Sequence, residues 1–129
     1  MGKLVNSLVL DAAFQYLEDN VDWISVCEGA PTTYEHAHSN KGTGAGKVLA
    51  SSATPTFTGP APGDTNGRKT TVDEEASMSV VQTGDADHVA LCDVGSTALL
   101  YVTTCTLQTL TSGNTVTCPA WDIEIADPT

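Results

Sequence analysis

The sequence predicts a mainly β fold, namely a small antiparallel β-sandwich or barrel-like domain with one N-terminal amphipathic helix and long loops. Six short β-prone runs separated by Gly, Asn and Asp turns fill the second half of the chain. A stretch near the N-terminus has helical periodicity, and two stretches between these regions are irregular. The 129 residues suffice for one domain with its own core, and we interpret 1–129 as a single domain.

The N-terminal helix is predicted over residues 3–18. Apolar side chains recur there every three or four residues, which places them on one stripe of a helix. The stripe consists of Leu4, Val5, Leu8, Val9, Ala12, Ala13, Tyr16 and Leu17. Asp19 and Asn20 end the helix, and a first strand follows at 21–27. Such a stripe must pack on a sheet or on a neighbouring subunit, because it would otherwise face water.

Two extended loops or arms are predicted at 29–46 and 51–67. The first combines Pro and polar residues with three closely spaced glycines, and the second is rich in Pro and ends on the turn dipeptide Asn66-Gly67. Residues 47–50 are predicted as a short strand between them. Loops of this length are typical of functional segments, and in an assembly protein they would reach neighbouring subunits.

The β-rich core is predicted over 68–126. Its strands are expected at 68–72, 76–82, 88–94, 98–105, 114–118 and 120–125. This spacing is typical of a sandwich or a barrel. In the last run, Ile123 and Ile125 alternate with Asp122 and Glu124, which predicts a half-buried strand with its acids in water.

Charge excludes two classes of partner. The chain has 5 Lys and Arg against 16 Asp and Glu, a formal net charge of −11, which repels phosphate backbones and anionic membrane surfaces. No apolar run approaches the roughly 20 residues of a membrane span, and we expect no secretory signal peptide. We therefore expect synthesis in a cytoplasm, no direct nucleic-acid partner and no membrane partner.

The four cysteines do not form a metal or disulfide pattern. Cys27, Cys92, Cys105 and Cys118 occur singly, with gaps that match neither a zinc site nor a dense disulfide framework. We interpret them as reduced, buried, small apolar residues. Whether a pair oxidises outside the cell, such as Cys105 and Cys118 across a hairpin, is left open.

Three groups of residues have some features of a chemical site. The run 42–47 resembles a phosphate-binding loop, but Val48 follows the Lys where a P-loop needs Ser or Thr, so we interpret it as a linker. On an extended segment His36 and His38 would share one face and form at most a weak metal site. Along a strand, His88 and Cys92 would lie about 13 Å apart, too far for a catalytic pair. We therefore predict no enzyme, no catalytic residue, no cofactor and no metal.

Several turn and strand motifs resemble those of a family of small proteins from the structural-gene region of tailed bacteriophages. They are Pro31-Thr32-Thr33-Tyr34, Gly67-Arg68-Lys69, Asp87-His88-Val89-Ala90-Leu91, Leu99-Leu100-Tyr101-Val102-Thr103, Leu110-Thr111-Ser112-Gly113-Asn114-Thr115-Val116 and Trp121-Asp122-Ile123-Glu124-Ile125. The resemblance covers most of the chain after Ala12. Cys92, Cys105 and Cys118 depart from the family's pattern.

The resemblance implies a virion protein, specifically a capsid decoration or cement protein. Such a protein would stabilise the icosahedral head as a homotrimer on the outer surface of the major capsid protein lattice. Under this interpretation the helix and the two loops supply the intersubunit contacts. The candidate contact residues are Leu4, Leu8, Val9, Phe14, Tyr34 and Phe57.

Three alternatives remain open at this point. The chain could be a neck, tail or baseplate structural protein, present in few copies. It could instead be a glycan-binding or host-surface-binding module, for which Trp23, Tyr34 and Trp121 would have to line an exposed groove. A hydrolase would require Cys92 or His88 to be essential.

Overall fold

The computed structural model describes residues 2–39 and 46–129, which form nine strands and two helices. The elements are α1 (Ser7–Asn20), β1 (Trp23–Glu28), α2 (Tyr34–His38), β2 (Lys47–Ser52), β3 (Phe57–Pro62), β4 (Arg68–Val72), β5 (Glu75–Ser79), β6 (Gly84–Asp93), β7 (Ala98–Leu110), β8 (Thr115–Cys118) and β9 (Trp121–Ile125). The strand pairs among them are antiparallel, so the predicted mainly β fold with an N-terminal helix is confirmed. No sheet in the described part of the chain closes on itself.

The chain forms two compact units. The first consists of Met1–Asn20, Thr56–Glu74 and Pro119–Thr129, and the second of Val21–Pro55 and Glu75–Cys118. Each unit therefore contains segments that are distant in the sequence.

The first unit is a three-stranded sheet with α1 packed on it, in the strand order β3-β4-β9. The central strand contributes the buried Thr70 and Val72, and α1 contributes the buried Phe14. A turn joins β3 to β4, and Gly67 within it has a φ of 72°. A Cβ atom at Gly67 would overlap the carbonyl oxygen of Ile125, so this turn requires glycine.

The second unit is built on a four-stranded sheet in the order β2-β1-β6-β7, with a separate β5-β8 pair. Consecutive residues are buried in the two central strands, over 24–27 and 89–92, which shows that both faces of the sheet are covered. On one face, Ala37 of α2 packs against Ala90 and Cys92. Trp23, Tyr34, Leu99 and Val102 surround this cluster.

The predicted and observed elements correspond closely in the second half of the chain. The six strands predicted over 68–126 correspond to β4 through β9, although β6 begins earlier and β7 ends later than expected. The helix begins at Ser7 because the side chain of Asn6 accepts a hydrogen bond from the backbone of Leu8 at 2.8 Å and caps it. The two predicted loops contain α2 and β3, respectively.

Candidate interaction surface

Helix α1 has apolar side chains on two opposite sides. On the side that faces the sheet, Phe14 is fully buried, and Leu10 and Leu17 are half-buried. On the other side, Leu8 is 74% exposed, Val9 63% and Tyr16 56%. At about 100° per residue these two groups project in different directions, so both cannot contact the same sheet.

Two long-range contacts fix which side of α1 faces the sheet. The guanidinium of Arg68 on β4 donates two hydrogen bonds to Asp11, with Nε–Oδ1 at 2.7 Å and Nη2–Oδ2 at 3.1 Å. The hydrogen bonding to the Asp11 side chain is the main cause that raises the pKa of Arg68. Two turns further along the sheet-facing side, the buried Thr70 hydroxyl donates to Glu18 Oε1 at 2.9 Å. Both contacts oppose rotation of the helix about its axis.

The exposed apolar residues on this side of the helix define a surface that we call the α1 apolar face. It comprises Leu8, Val9, Ala12, Ala13 and Tyr16. Leu4 lies just before the helix and is 94% exposed. Its members are uncharged, and the exposed Asp19 follows them on the same side of the last helical turn. Exposed apolar surfaces bounded by polar residues are typical of protein contacts.

Of the six candidate contact residues, Leu8 and Val9 lie on the α1 apolar face, and Leu4 is exposed just before the helix. Phe14 is on the sheet-facing side and belongs to the core of the first unit. Tyr34 and Phe57 are partly buried and lie in α2 and β3. Tyr16 was not among the candidates, although it belongs to the predicted apolar stripe.

The two histidines of the first loop do not form a pair. They lie on α2, where positions two apart project to different sides, and not on the extended segment that the metal hypothesis assumed. Nδ1 of His36 lies 3.2 Å from the hydroxyl of Thr32. His38 instead has its ring 4.3 Å from that of Trp23 and 4.9 Å from that of Tyr34.

His88 has an acidic neighbour but no reactive thiol. Its Nδ1 lies 2.7 Å from Oδ1 of Asp87, which also accepts a hydrogen bond from the backbone of Gly29 at 2.8 Å. The hydrogen bond with His88 is the main cause that lowers the pKa of Asp87. Burial raises the pKa of Cys27 to about 11 and that of Cys92 to about 12, so both thiols are protonated at neutral pH. A thiolate is the nucleophilic form, and these two cysteines are therefore inert.

The glycine-rich run at 42–47 and the cysteines are the remaining candidates for a chemical site. Residues 42–45 of the glycine-rich run lie outside the described residues, while the ammonium of Lys47 donates to the carbonyl of Thr83 at 2.7 Å. Within the described residues, no group of three or more His, Cys, Asp or Glu side chains could hold a metal ion. Cys27, Cys92 and Cys118 are buried as expected, whereas Cys105 is exposed and differs from that expectation.

The two tryptophans are half-buried, and they belong to different units. The indole of Trp23 donates to the carbonyl of Ala37 at 3.2 Å, which ties α2 to β1. This contact assigns Trp23 to packing within the second unit.

Comparison with known proteins returns no match to a family model, to a curated protein or to a solved structure. Among the described residues, the helices are too short or too polar to cross a membrane.

Proposed function

We propose that this protein is a non-enzymatic capsid decoration protein of a tailed bacteriophage, which binds the outer surface of the major capsid protein lattice and stabilises the head. The single observation that carries the proposal is the α1 apolar face. The resemblance of the strand and turn motifs to phage structural proteins supplies the class of partner.

The α1 apolar face has the properties of a docking surface. Burial of a Leu or Val side chain contributes about 1.5–3 kcal/mol, so Leu8 and Val9 together supply several kcal/mol when covered. The contacts of Asp11 and Glu18 hold the helix in place before binding, which lowers the entropy cost of association.

The charge of the chain favours the outer surface of a head. A net charge of −11 is repelled by packaged DNA on the inside and is compatible with the solvent-facing side. The members of the α1 apolar face add no charge of their own to a contact with a protein lattice.

The test is binding to particles purified from a phage that lacks the gene for this protein. The wild-type chain should co-sediment with these particles and raise the temperature at which they release DNA. Substitution of both Leu8→Asp and Val9→Asp should lower the affinity at least about tenfold, because 1.4 kcal/mol corresponds to a factor of ten.

Val81→Asp is the matched control, since Val81 is also an exposed apolar residue, at 47%, but lies outside α1. It should bind like the wild type. Urea midpoints equal to that of the wild type will show that the variants are folded. Equal binding by the α1 variant, or equal loss in the control, would contradict the proposal.

A further inference from the structure

The exposed apolar side of α1 ends in an acidic residue. At about 100° per residue, Asp19 projects within about 20° of Leu8, and it follows Tyr16 by one helical turn. All three side chains are exposed. A surface that covers the α1 apolar face along its length would therefore also contact Asp19.

The charge of Asp19 is unfavourable for the end of the helix on which it lies. The C-terminus of a helix carries a partial negative charge, which favours Lys, Arg or His there and disfavours an acid. The last turn of α1 contains no basic residue and holds both Glu18 and Asp19. Glu18 accepts a hydrogen bond from the buried Thr70 and so contributes to packing, whereas Asp19 accepts one from the amide of Gln15 at 2.9 Å. The Gln15 contact orients the Asp19 carboxylate but leaves its charge in place.

The described part of the chain supplies no cation to Asp19. Three of its four basic side chains bond elsewhere, namely Lys47 to Thr83, Arg68 to Asp11, and Lys69 to Asp64 and Asp122. The fourth, Lys3, precedes the 14-residue helix, which is about 21 Å long. Charges that far apart are screened, because the Debye length is about 8 Å at physiological ionic strength.

Covering the α1 apolar face would remove water from this carboxylate. A charge that loses its water is costly unless it gains a partner of opposite sign. A Lys or Arg side chain on the covering surface would offset that cost through a charge-assisted hydrogen bond. The charge of Asp19 therefore constrains what can bind beside Leu8 and Tyr16.

We propose that the surface bound by α1 carries a Lys or Arg side chain that pairs with Asp19 at the end of the apolar contact. This inference rests on the proposed function, which supplies the binding partner. It adds the chemistry of the partner surface, which is apolar along most of α1 and basic at the C-terminal end of the helix.

Such a pair would fix the direction in which the helix binds. The charge lies at one end of the contact only, so a reversed helix would place Asp19 against apolar groups. Electrostatic complementarity contributes chiefly to specificity and to the rate of association. The net charge of −11 acts in the same sense, because it favours a basic surface over an acidic one.

The experiment measures co-sedimentation with the particles that lack the gene product, at low ionic strength. Asp19→Asn removes the charge and keeps an oxygen that can accept from Gln15, so it should weaken binding about two- to fivefold. Asp19→Lys should weaken binding at least about tenfold, because it places a cation against a cation. Its urea midpoint should equal or exceed that of the wild type, since Lys suits this end of the helix. Added salt should narrow the difference in affinity between the wild type and Asp19→Asn.

Glu74→Lys is the matched control, because Glu74 is an exposed acid outside α1 and its replacement changes the net charge equally. It should bind like the wild type, and an equal loss of binding in this control would overturn the inference. Wild-type binding by both Asp19 variants, with binding still lost on substitution of Leu8 and Val9 by Asp, would overturn the inference and leave the proposed function standing. A wild type that does not bind the particles would contradict the proposed function and the inference with it.

Discussion

Replacement of Phe14 by Ala tests which side of α1 faces the sheet. Phe14 is fully buried in the first unit, and truncation of a buried Phe costs about 3–5 kcal/mol through lost transfer energy and the cavity that remains. This is a large part of the roughly 5–15 kcal/mol by which a domain is stable. The matched change Leu8→Ala removes a side chain that is 74% exposed, and we expect a shift within about 0.5 kcal/mol.

The assay is urea unfolding followed by far-ultraviolet circular dichroism, with the midpoint and slope fitted for each variant. Hydrogen exchange at the β4 amides reports on the sheet that α1 covers, so Phe14→Ala should accelerate it and Leu8→Ala should not. Equal destabilisation by the two substitutions would refute our assignment of the two faces. An unchanged midpoint in Phe14→Ala would refute it as well.

Two further predictions concern titratable side chains. In the native protein at neutral pH, Cys105 should react first with a disulfide reagent because it is exposed. Cys27 and Cys92 should react only after denaturant is added, because both thiols are buried. Fast reaction of Cys27 or Cys92 in the native protein would contradict their burial. Hydrogen bonds from Thr71 and then Lys69 hold the pKa of Asp122 below its ordinary value, so its stabilising contribution is present above about pH 4 and is lost as the pH falls through the folded-state pKa. Asp122→Asn should therefore make the acid decline of the urea midpoint shallower, and an unchanged decline would contradict this role.

Local patterns predicted the strands of the β-rich core well. Turn residues and β-branched runs mark β4, β8 and β9 at nearly the observed bounds. β3 was missed because it carries Pro60 and Pro62, which disfavour a strand in general but are tolerated at an edge.

The short helix α2 was missed although a signal was present. Thr33 accepts a hydrogen bond from the backbone of His36 and caps the helix, and Glu35 lies in the first turn. Both residue types favour a helix start at these positions. A helix of five residues is nevertheless too short to show periodicity.

The buried side of α1 could not be predicted from periodicity. Leu8 and Tyr16 form a stripe with the spacing of a helix, and so do Leu10, Phe14 and Leu17. Arg68, which pairs with Asp11, lies 57 residues further along the chain and decides between the two stripes. Contacts over such distances leave no local pattern, so the sequence suggested Leu8 and Val9 as contacts but did not decide which stripe of the helix is buried.

The most direct test of the central claim is the number of copies of this chain per purified particle, measured by quantitative peptide counting against the major capsid protein. A decoration protein that covers the head should be present at a copy number comparable to that of the major capsid protein. A few copies per particle would place the protein at the neck or tail, and absence from particles would contradict a virion role altogether.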